Sequence, residues 1–168
     1  TRFMYHVGEP AVAAVAEANN MIYCLSTMGT TAPDELAAAV PGARRWFQLY
    51  MMQNREQSLG MINNAKENGF EALVITVDTP VSGHRPRDIR NGLTIPPRLG
   101  FKTIAYVIAK PRWWINLLTT KKLEFAAFRG WDKPLSELAA LIFDPSTDFD
   151  DIKWLRTVWS GPIIVKGI

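Results

Sequence analysis

Short apolar runs alternate with amphipathic helical segments along most of the chain. A helical pattern precedes each of four apolar runs, which read MIYCLS, RRWFQLY, ALVITVD and PIIVKGI. Apolar runs of this length are typical of strands that are buried on both faces, and such strands occur in parallel sheets covered by helices. The pattern therefore predicts an α/β fold with four parallel strands.

Capping and turn residues mark the ends of the predicted helices. Pro10 lies in the first turn of the first helix, and Asn19 ends that helix. We expect the second helix to begin at a threonine cap in TTAPDELAAAV, and the last helix to begin at a capping box of Thr147 and Asp150. Each of the four units thus reads as one helix followed by one strand.

Polar side chains stand at or just after the carboxyl ends of the predicted strands. Barrel enzymes and doubly wound enzymes both place their chemistry there. No glycine-rich dinucleotide fingerprint follows any of the strands, which disfavours a Rossmann fold. A (β/α)8 barrel needs eight strands and the chain stops directly after its fourth, so we expect a fragment of such a barrel. The residues at these ends are Ser26, Gln48, Tyr50, Thr76, Asp78 and Lys166.

Residues 79–147 are predicted to form a long excursion, far beyond ordinary loop lengths, with some helix around PRWWINLL. Residues 84–133 carry 11 Lys or Arg against 3 Asp or Glu, whereas the remainder carries 8 against 13. A basic, aromatic segment suits a nucleic acid, an anionic membrane surface or an acidic partner. The alternative is a solvated segment with its own small aromatic core.

Composition narrows the class of protein. The 168 residues are 48% hydrophobic, which is enough for one domain spanning residues 1–168. The single cysteine, Cys24, excludes an internal disulfide and is expected to be a small buried hydrophobe. The sequence contains neither a membrane-spanning apolar stretch nor a signal-peptide core, so we expect a soluble or peripheral protein in the cytoplasm.

Three motifs carry a family resemblance. WFQLY, LVITVDTPVSGHRPRDIRNG and IIVKGI, in this order, resemble the FMN-dependent 2-hydroxy-acid dehydrogenases and oxidases over essentially the whole chain. LSTMGT, together with RNGLTIPPRLGFKT and PRWW, is most similar to the bacterial L-lactate dehydrogenase types. The resemblance implies an FMN cofactor and a partial TIM (β/α)8 barrel with about four of its eight strands.

The resemblance assigns cofactor-binding roles to four residues. Ser26, Gln48 and Thr76 would bind the polar edge of the flavin ring. Lys166 would lie by the flavin N1 and C2 carbonyl, where an ammonium group stabilises the negative charge that develops on reduction. No metal site is implied.

Catalytic and substrate-binding roles follow in the same way. Tyr50 would place its phenol near the hydroxyl-bearing carbon of the substrate, and Arg85 would bind the substrate carboxylate. Asp78 resembles the carboxylate that orients the catalytic histidine. That histidine belongs to an SNHGGRQ-like motif absent from this sequence, and we interpret His6 and His84 as non-catalytic.

The resemblance also implies a reaction and its partners. The full-length protein would oxidise an L-2-hydroxy acid, with L-lactate as the expected substrate, and pass electrons to a quinone, another carrier or oxygen. The fragment alone is expected to be inactive because it lacks the general base. We expect a homo-oligomer, no nucleic-acid partner and a peripheral contact with the inner face of the cell membrane. The competing interpretation is a non-catalytic binding module that uses the basic aromatic excursion.

Overall fold

The computed structural model describes residues 1–2, 4–79, 86–90, 100–120, 124–129 and 146–168, without the side chains of residues 88, 89, 102, 103 and 117. Four strands and seven helices occur in these ranges. In chain order they are α1 Glu9–Ala18, β1 Ile22–Ser26, α2 Pro33–Ala39, β2 Arg44–Leu49, α3 Arg55–Glu67, β3 Ala72–Thr76, α4 Pro86–Arg90, α5 Phe101–Ile108, α6 Pro111–Thr119, a 3₁₀ turn Ala126–Phe128, α7 Phe149–Val158 and β4 Ile163–Lys166.

The four strands form one parallel sheet in the order β1-β2-β3-β4, which is also their order along the chain. This confirms the predicted alternation of helices with four parallel strands. All five residues of β3 are buried, as the apolar run ALVITVD predicts for an interior strand. The carboxyl ends of the four strands consequently lie side by side at one edge of the sheet.

One face of the sheet packs on helices. Leu25, Phe47 and Leu73 belong to a single buried cluster that also contains Leu36 of α2 and Ile62 of α3. Side chains alternate along a strand, so the neighbours of these residues point to the opposite face. Cys24 lies on that opposite face and is exposed, so the expectation that it is buried was wrong. Leu25, the next residue along β1, occupies the buried position instead.

Two predicted helix caps differ from those observed. The N-cap of α2 is Ala32, because the Thr31 hydroxyl donates to the Glu9 carboxylate instead of capping the helix. The capping box of α7 is formed by Asp148 and Asp151, one residue later than the predicted pair Thr147 and Asp150. The Asp151 carboxylate also binds Arg55 at 2.7 Å, which ties α7 to α3.

Three α-helices, α4, α5 and α6, lie in the described part of the excursion, and two of them, α5 and α6, have exposed large apolar residues. The helix expected around PRWWINLL is confirmed as α6. Phe101 of α5 is 93% exposed and Leu118 of α6 is 75% exposed. No helix among the described residues is long and apolar enough to cross a membrane.

Candidate active site

A hydrogen-bonded chain of three polar side chains joins the ends of β1, β2 and β3. The Ser26 hydroxyl donates to Gln48 Oε1 at 2.7 Å, and Gln48 Nε2 donates to the Thr76 hydroxyl at 2.9 Å. Register explains the meeting, since Ser26 pairs with Gln48 and the strands run parallel. Three of the sequence-predicted site residues are therefore in direct contact.

The direction of these hydrogen bonds leaves donors available. Ser26 Oγ accepts the Met28 backbone N–H at 3.1 Å while its own hydrogen goes to Gln48. The Gln48 amide keeps a second N–H, and the Thr76 hydroxyl, which accepts from Gln48, keeps its hydrogen. This edge of the sheet thus presents hydrogen-bond donors, which suit a ligand that presents carbonyl oxygens.

Lys166 extends this edge onto β4. It pairs in register with Thr76, and its ammonium lies 3.1 Å from Asp78 Oδ2 and 3.3 Å from Oδ1. Both side chains are about half exposed, at 54% for Lys166 and 42% for Asp78. The sequence assigned these two residues to different partners, and in the structure they form an ion pair with each other.

Gly167 makes room for Asp78. Its φ is 103°, in the region that favours glycine, and a Cβ at this position would lie 2.4 Å from the Asp78 Cβ. That distance is far shorter than any tolerated contact between two carbon atoms. The glycine of the VKGI motif therefore allows the Asp78 carboxylate to approach the end of β4.

Tyr50 follows directly after β2 and is half-buried. Its backbone N–H donates to the Thr27 hydroxyl at 3.2 Å, and the same hydroxyl donates to the Gln48 carbonyl at 2.7 Å. The Tyr50 side chain packs in a small apolar cluster around the buried Met52, together with Met28. Tyr50 is thus fixed beside Gln48, with a sulfur-rich apolar surface next to it.

The remaining predicted residues lie elsewhere. Arg85 and His84 are outside the described residues. His6 lies beside the Tyr5 ring before α1, with the ring centroids 4.5 Å apart and the ring planes tilted by 48°. Its predicted non-catalytic character stays a prediction.

Sequence reasoning missed Glu9, Thr27 and Gly167. Glu9 and Thr27 are 3% and 1% exposed, and both bind backbone or hydroxyl groups of the loops that carry the site. An acid in the first turn of a helix ordinarily faces solvent, so the pattern around Glu9 gave no sign of its burial. Gly167 was visible in VKGI, and its place after a strand-end lysine was the available signal.

Comparison with known proteins identifies the family. The family model for FMN-dependent dehydrogenases matches residues 1–168. A Mycobacterium tuberculosis protein named "Putative L-lactate dehydrogenase" is 44% identical over 168 residues, which is 100% of this chain and 41% of that protein. Human 2-hydroxyacid oxidase 1 is 36% identical over 168 residues, covering 98% of this chain and 42% of the oxidase.

A solved structure gives the same result. The monotopic membrane protein (S)-mandelate dehydrogenase superimposes with a TM-score of 0.85 and 31% identity, over 96% of this chain and 44% of the dehydrogenase. The chain therefore spans less than half the length of the relatives it matches. The comparison confirms the predicted fold class, an α/β partial (β/α)8 barrel. The chain belongs to the FMN-dependent dehydrogenase family, whose members oxidise 2-hydroxy acids.

Proposed function

We propose that the full-length protein uses FMN to oxidise an L-2-hydroxy acid to the 2-oxo acid, and that residues 1–168 are part of its single catalytic domain. The observation that carries the proposal is the polar edge formed by Ser26, Gln48, Thr76 and Lys166, which runs across the ends of four consecutive parallel strands. Chemistry at the carboxyl ends of the strands is the rule for this barrel fold.

The donor set fits FMN, the cofactor on which the family depends. Gln48 and Thr76 each keep a hydrogen to donate, and Lys166 supplies a positive charge. The flavin ring presents carbonyl oxygens and the N1 acceptor along one edge, so neutral donors and an ammonium group match it. When bound, FMN takes up the two electrons that the substrate loses.

The side chains of this chain would position the reactants. Lys166 supplies positive charge where negative charge develops, and Asp78 holds the ammonium in place at 3.1 Å. Lys166 contacts both oxygens of Asp78, and each oxygen has a further lone pair. One of these lone pairs would accept from an imidazole N–H, which is the proposed role of Asp78 toward a catalytic histidine. Tyr50 would place its phenol near the hydroxyl-bearing carbon of the substrate, and Arg85 would bind the substrate carboxylate as a guanidinium fork.

L-lactate is the first substrate to test. The Mycobacterium tuberculosis relative is named for lactate, whereas the solved structure above is a mandelate dehydrogenase, so the names alone allow small and large side chains. Half-buried Met28 and fully buried Met52 pack with Tyr50 in an adaptable apolar cluster. Flexible methionine side chains can pack against the methyl group of lactate or move aside for the ring of mandelate. A quinone, another carrier or oxygen would reoxidise the flavin.

The test uses protein expressed with its natural flanking sequence. The visible absorption spectrum is recorded anaerobically before and after addition of L-lactate, and separately with D-lactate, glycolate and (S)-mandelate. Bleaching of a bound flavin by L-lactate and not by D-lactate supports the proposal. If only another L-2-hydroxy acid bleaches the flavin, that acid replaces L-lactate as the proposed substrate. A folded protein that binds no flavin contradicts the proposed function.

A second proposed function is docking on an anionic membrane surface through the excursion. Phe101, Ile104 and Ile108 lie on one side of α5 at helical spacing, and they are 93%, 42% and 67% exposed. Short amphipathic helices of this kind lie in the interface of a bilayer with their apolar side buried. The proposed location is therefore peripheral, at the inner face of the cell membrane.

Charge selects the kind of membrane. Residues 84–133 carry 11 Lys or Arg against 3 Asp or Glu. Each basic side chain near an anionic surface contributes about 1 kcal/mol of attraction, which fades as salt is added. Cosedimentation with phosphatidylglycerol vesicles at low and high salt tests the idea, with pure phosphatidylcholine vesicles as the control. Equal binding to both lipids, or binding that does not change with salt concentration, contradicts an electrostatic contribution to docking.

A further inference from the structure

The carboxylate of Glu9 is buried in the first turn of α1, where it is 3% exposed. It accepts the Thr30 backbone N–H at 2.7 Å, the Thr30 hydroxyl at 2.7 Å and the Thr31 hydroxyl at 3.0 Å. Burial acts to raise the pKa of Glu9, but the hydrogen bonds from Thr30 and Thr31 outweigh it and hold the pKa below its ordinary value. Glu9 is thus a buried anion that holds two threonines of one turn.

That turn connects β1 to α2, and it begins at Ser26. Within it the Gly29 N–H donates to the Ser26 carbonyl at 2.8 Å, and the Met28 N–H donates to the Ser26 hydroxyl at 3.1 Å. A Cβ on Gly29 would lie 2.9 Å from the Ser26 carbonyl oxygen and 3.5 Å from Glu9 Oε1. Glu9 therefore packs directly against the turn that fixes Ser26.

The turn decides which way the hydrogen bonds of the site run. Because Ser26 Oγ accepts the Met28 N–H, the Ser26 hydrogen is available for Gln48 Oε1. This contact orients the Gln48 amide with Nε2 toward Thr76. If the turn relaxed, the Ser26 hydroxyl could rotate and the Gln48 amide could flip, which would exchange a donor for an acceptor at the polar edge.

The other side of the turn has independent support. Ala126 N–H donates to the Gly29 carbonyl at 2.9 Å, and Arg129 pairs with Glu35 at 2.8 Å at the start of α2. These contacts do not involve the Glu9 side chain. A substitution at Glu9 therefore leaves the turn attached to the fold, and its effect should appear in the alignment of the turn.

We propose that Glu9 is a positioning residue for the polar edge: its buried carboxylate holds Thr30 and Thr31 and so sets the direction of the Ser26, Gln48 and Thr76 hydrogen bonds. The inference rests on the proposed function, because FMN is the ligand that would sense this direction. Glu9 is 3% exposed and would act through the two threonines that it holds.

The test compares Glu9→Gln with two controls in the full-length protein. Glutamine keeps the size of the side chain but replaces one acceptor oxygen with a donor nitrogen beside the threonine hydroxyls. We expect FMN to bind about tenfold more weakly, the loss that one or two net hydrogen bonds represent, with a shifted flavin absorption band and a circular dichroism spectrum of folded protein. Glu17→Gln, an exposed change on the same helix, should bind FMN normally.

The second control separates positioning from general stability. Leu155→Ala opens the core at α7, away from the turn, and lowers the melting temperature without touching a hydrogen bond of the site. It should keep the FMN affinity of the unaltered protein. The proposal is overturned if Glu9→Gln binds FMN with unchanged affinity and spectrum, or if Leu155→Ala weakens FMN binding equally.

A readout without flavin distinguishes this inference from the proposed function. The side-chain amide resonances of Gln48 in the FMN-free protein, assigned by their loss in Gln48→Ala, report the orientation of the amide. They should shift and broaden in Glu9→Gln but not in Leu155→Ala. If the unaltered protein binds no FMN, the proposed function fails while these resonances still test the link from Glu9 to Gln48; unchanged resonances overturn it.

Discussion

Lys166 and Asp78 form an ion pair of 3.1 Å across the ends of β4 and β3, although 88 residues separate them along the chain. The Val77 N–H donates to the Lys166 carbonyl at 3.0 Å and aligns the two strand ends. The pair is half exposed, so it adds little to stability. Its importance lies in where it places a positive charge.

Replacing Lys166 with methionine should slow flavin reduction while leaving the fold intact. The ammonium group that would stabilise developing negative charge is lost, and we expect a decrease of about 10²- to 10³-fold in the rate at saturating substrate. Stopped-flow absorbance under anaerobic conditions measures this rate. Lys153→Met, at an exposed lysine that pairs with Asp150 at 2.6 Å, is the matched control and should not change it. Equal rates for the two variants would argue against the assigned role.

Gly167→Ala should disrupt the end of β4. The added Cβ would meet the Asp78 Cβ at 2.4 Å in a backbone conformation that alanine disfavours, and strain of this kind costs about 1–3 kcal/mol. We expect a lower free energy of unfolding in urea together with weaker FMN binding. Gly60→Ala on α3, where no atom lies within 4 Å, should be neutral or stabilising by up to about 1 kcal/mol. The opposite order of stability would contradict the observed geometry.

Thr27→Val should destabilise the protein through one buried hydroxyl. The Thr27 hydroxyl accepts the Tyr50 N–H and donates to the Gln48 carbonyl. Its loss removes the acceptor of the Tyr50 N–H at a cost of about 1–3 kcal/mol, whereas the Gln48 carbonyl still accepts the Thr27 backbone N–H at 2.9 Å. Urea unfolding measures the change. Thr157→Val, at an exposed hydroxyl that bonds within α7, should cost much less. Equal losses of unfolding free energy in the two variants would show that the Thr27 hydroxyl contributes no more to stability than an exposed hydroxyl.

Stability should fall at alkaline pH because of Tyr23. Burial, with a contribution from the charge of Glu9, raises the pKa of Tyr23 to about 12. Between pH values of about 10 and 12 the unfolded chain loses the phenol proton while the folded chain keeps it, so the free energy of unfolding decreases as pH rises through this window. Tyr23→Phe should remove this part of the pH dependence. Tyr106→Phe, at an exposed tyrosine, should leave it unchanged, and identical slopes for all three proteins would count against the assignment.

Phe101→Asp should weaken vesicle binding if α5 enters the membrane interface. The substitution places a negative charge on the apolar side of α5 and should lower partitioning onto phosphatidylglycerol vesicles about tenfold or more. Phe149→Asp is the matched control, because Phe149 is 82% exposed but lies on α7, outside the excursion. Comparable losses in the two variants would move the contact away from α5.

The sequence predicted the architecture because each strand is a continuous apolar run and each helix has recognisable ends. Details set by competition between hydrogen-bond acceptors were not predictable from local pattern. Thr31 could have capped α2, yet its hydroxyl donates to Glu9, a residue more than twenty positions earlier. The burial of Cys24 was also misjudged, since only the alternation along β1 shows that Leu25 takes the position facing the helices.

The residues of the candidate site were predictable because they stand at strand ends and resemble the motifs of a family. The structure adds what the motifs do not contain, namely that Ser26, Gln48 and Thr76 bond to one another and that Asp78 pairs with Lys166. Contacts between side chains on neighbouring strands depend on the register of the sheet, and a one-residue slip would abolish them. Register is a property of the assembled sheet, and no single motif encodes it.

The strand order has a consequence for how the chain assembles. Register joins Ile22 to Arg44 and Trp46 to Ala72, whereas it joins Leu73 to Ile163 across the whole excursion, a loop about four times longer. Two doublings of loop length add about 1.2 kcal/mol of closure entropy, and longer loops also close more slowly. During synthesis β1, β2 and β3 can pair as they emerge, and β4 follows only after the excursion. A partly folded chain in which β4 has not yet paired would already hold the neutral hydrogen-bond donors of the polar edge but would lack the Lys166 ammonium group.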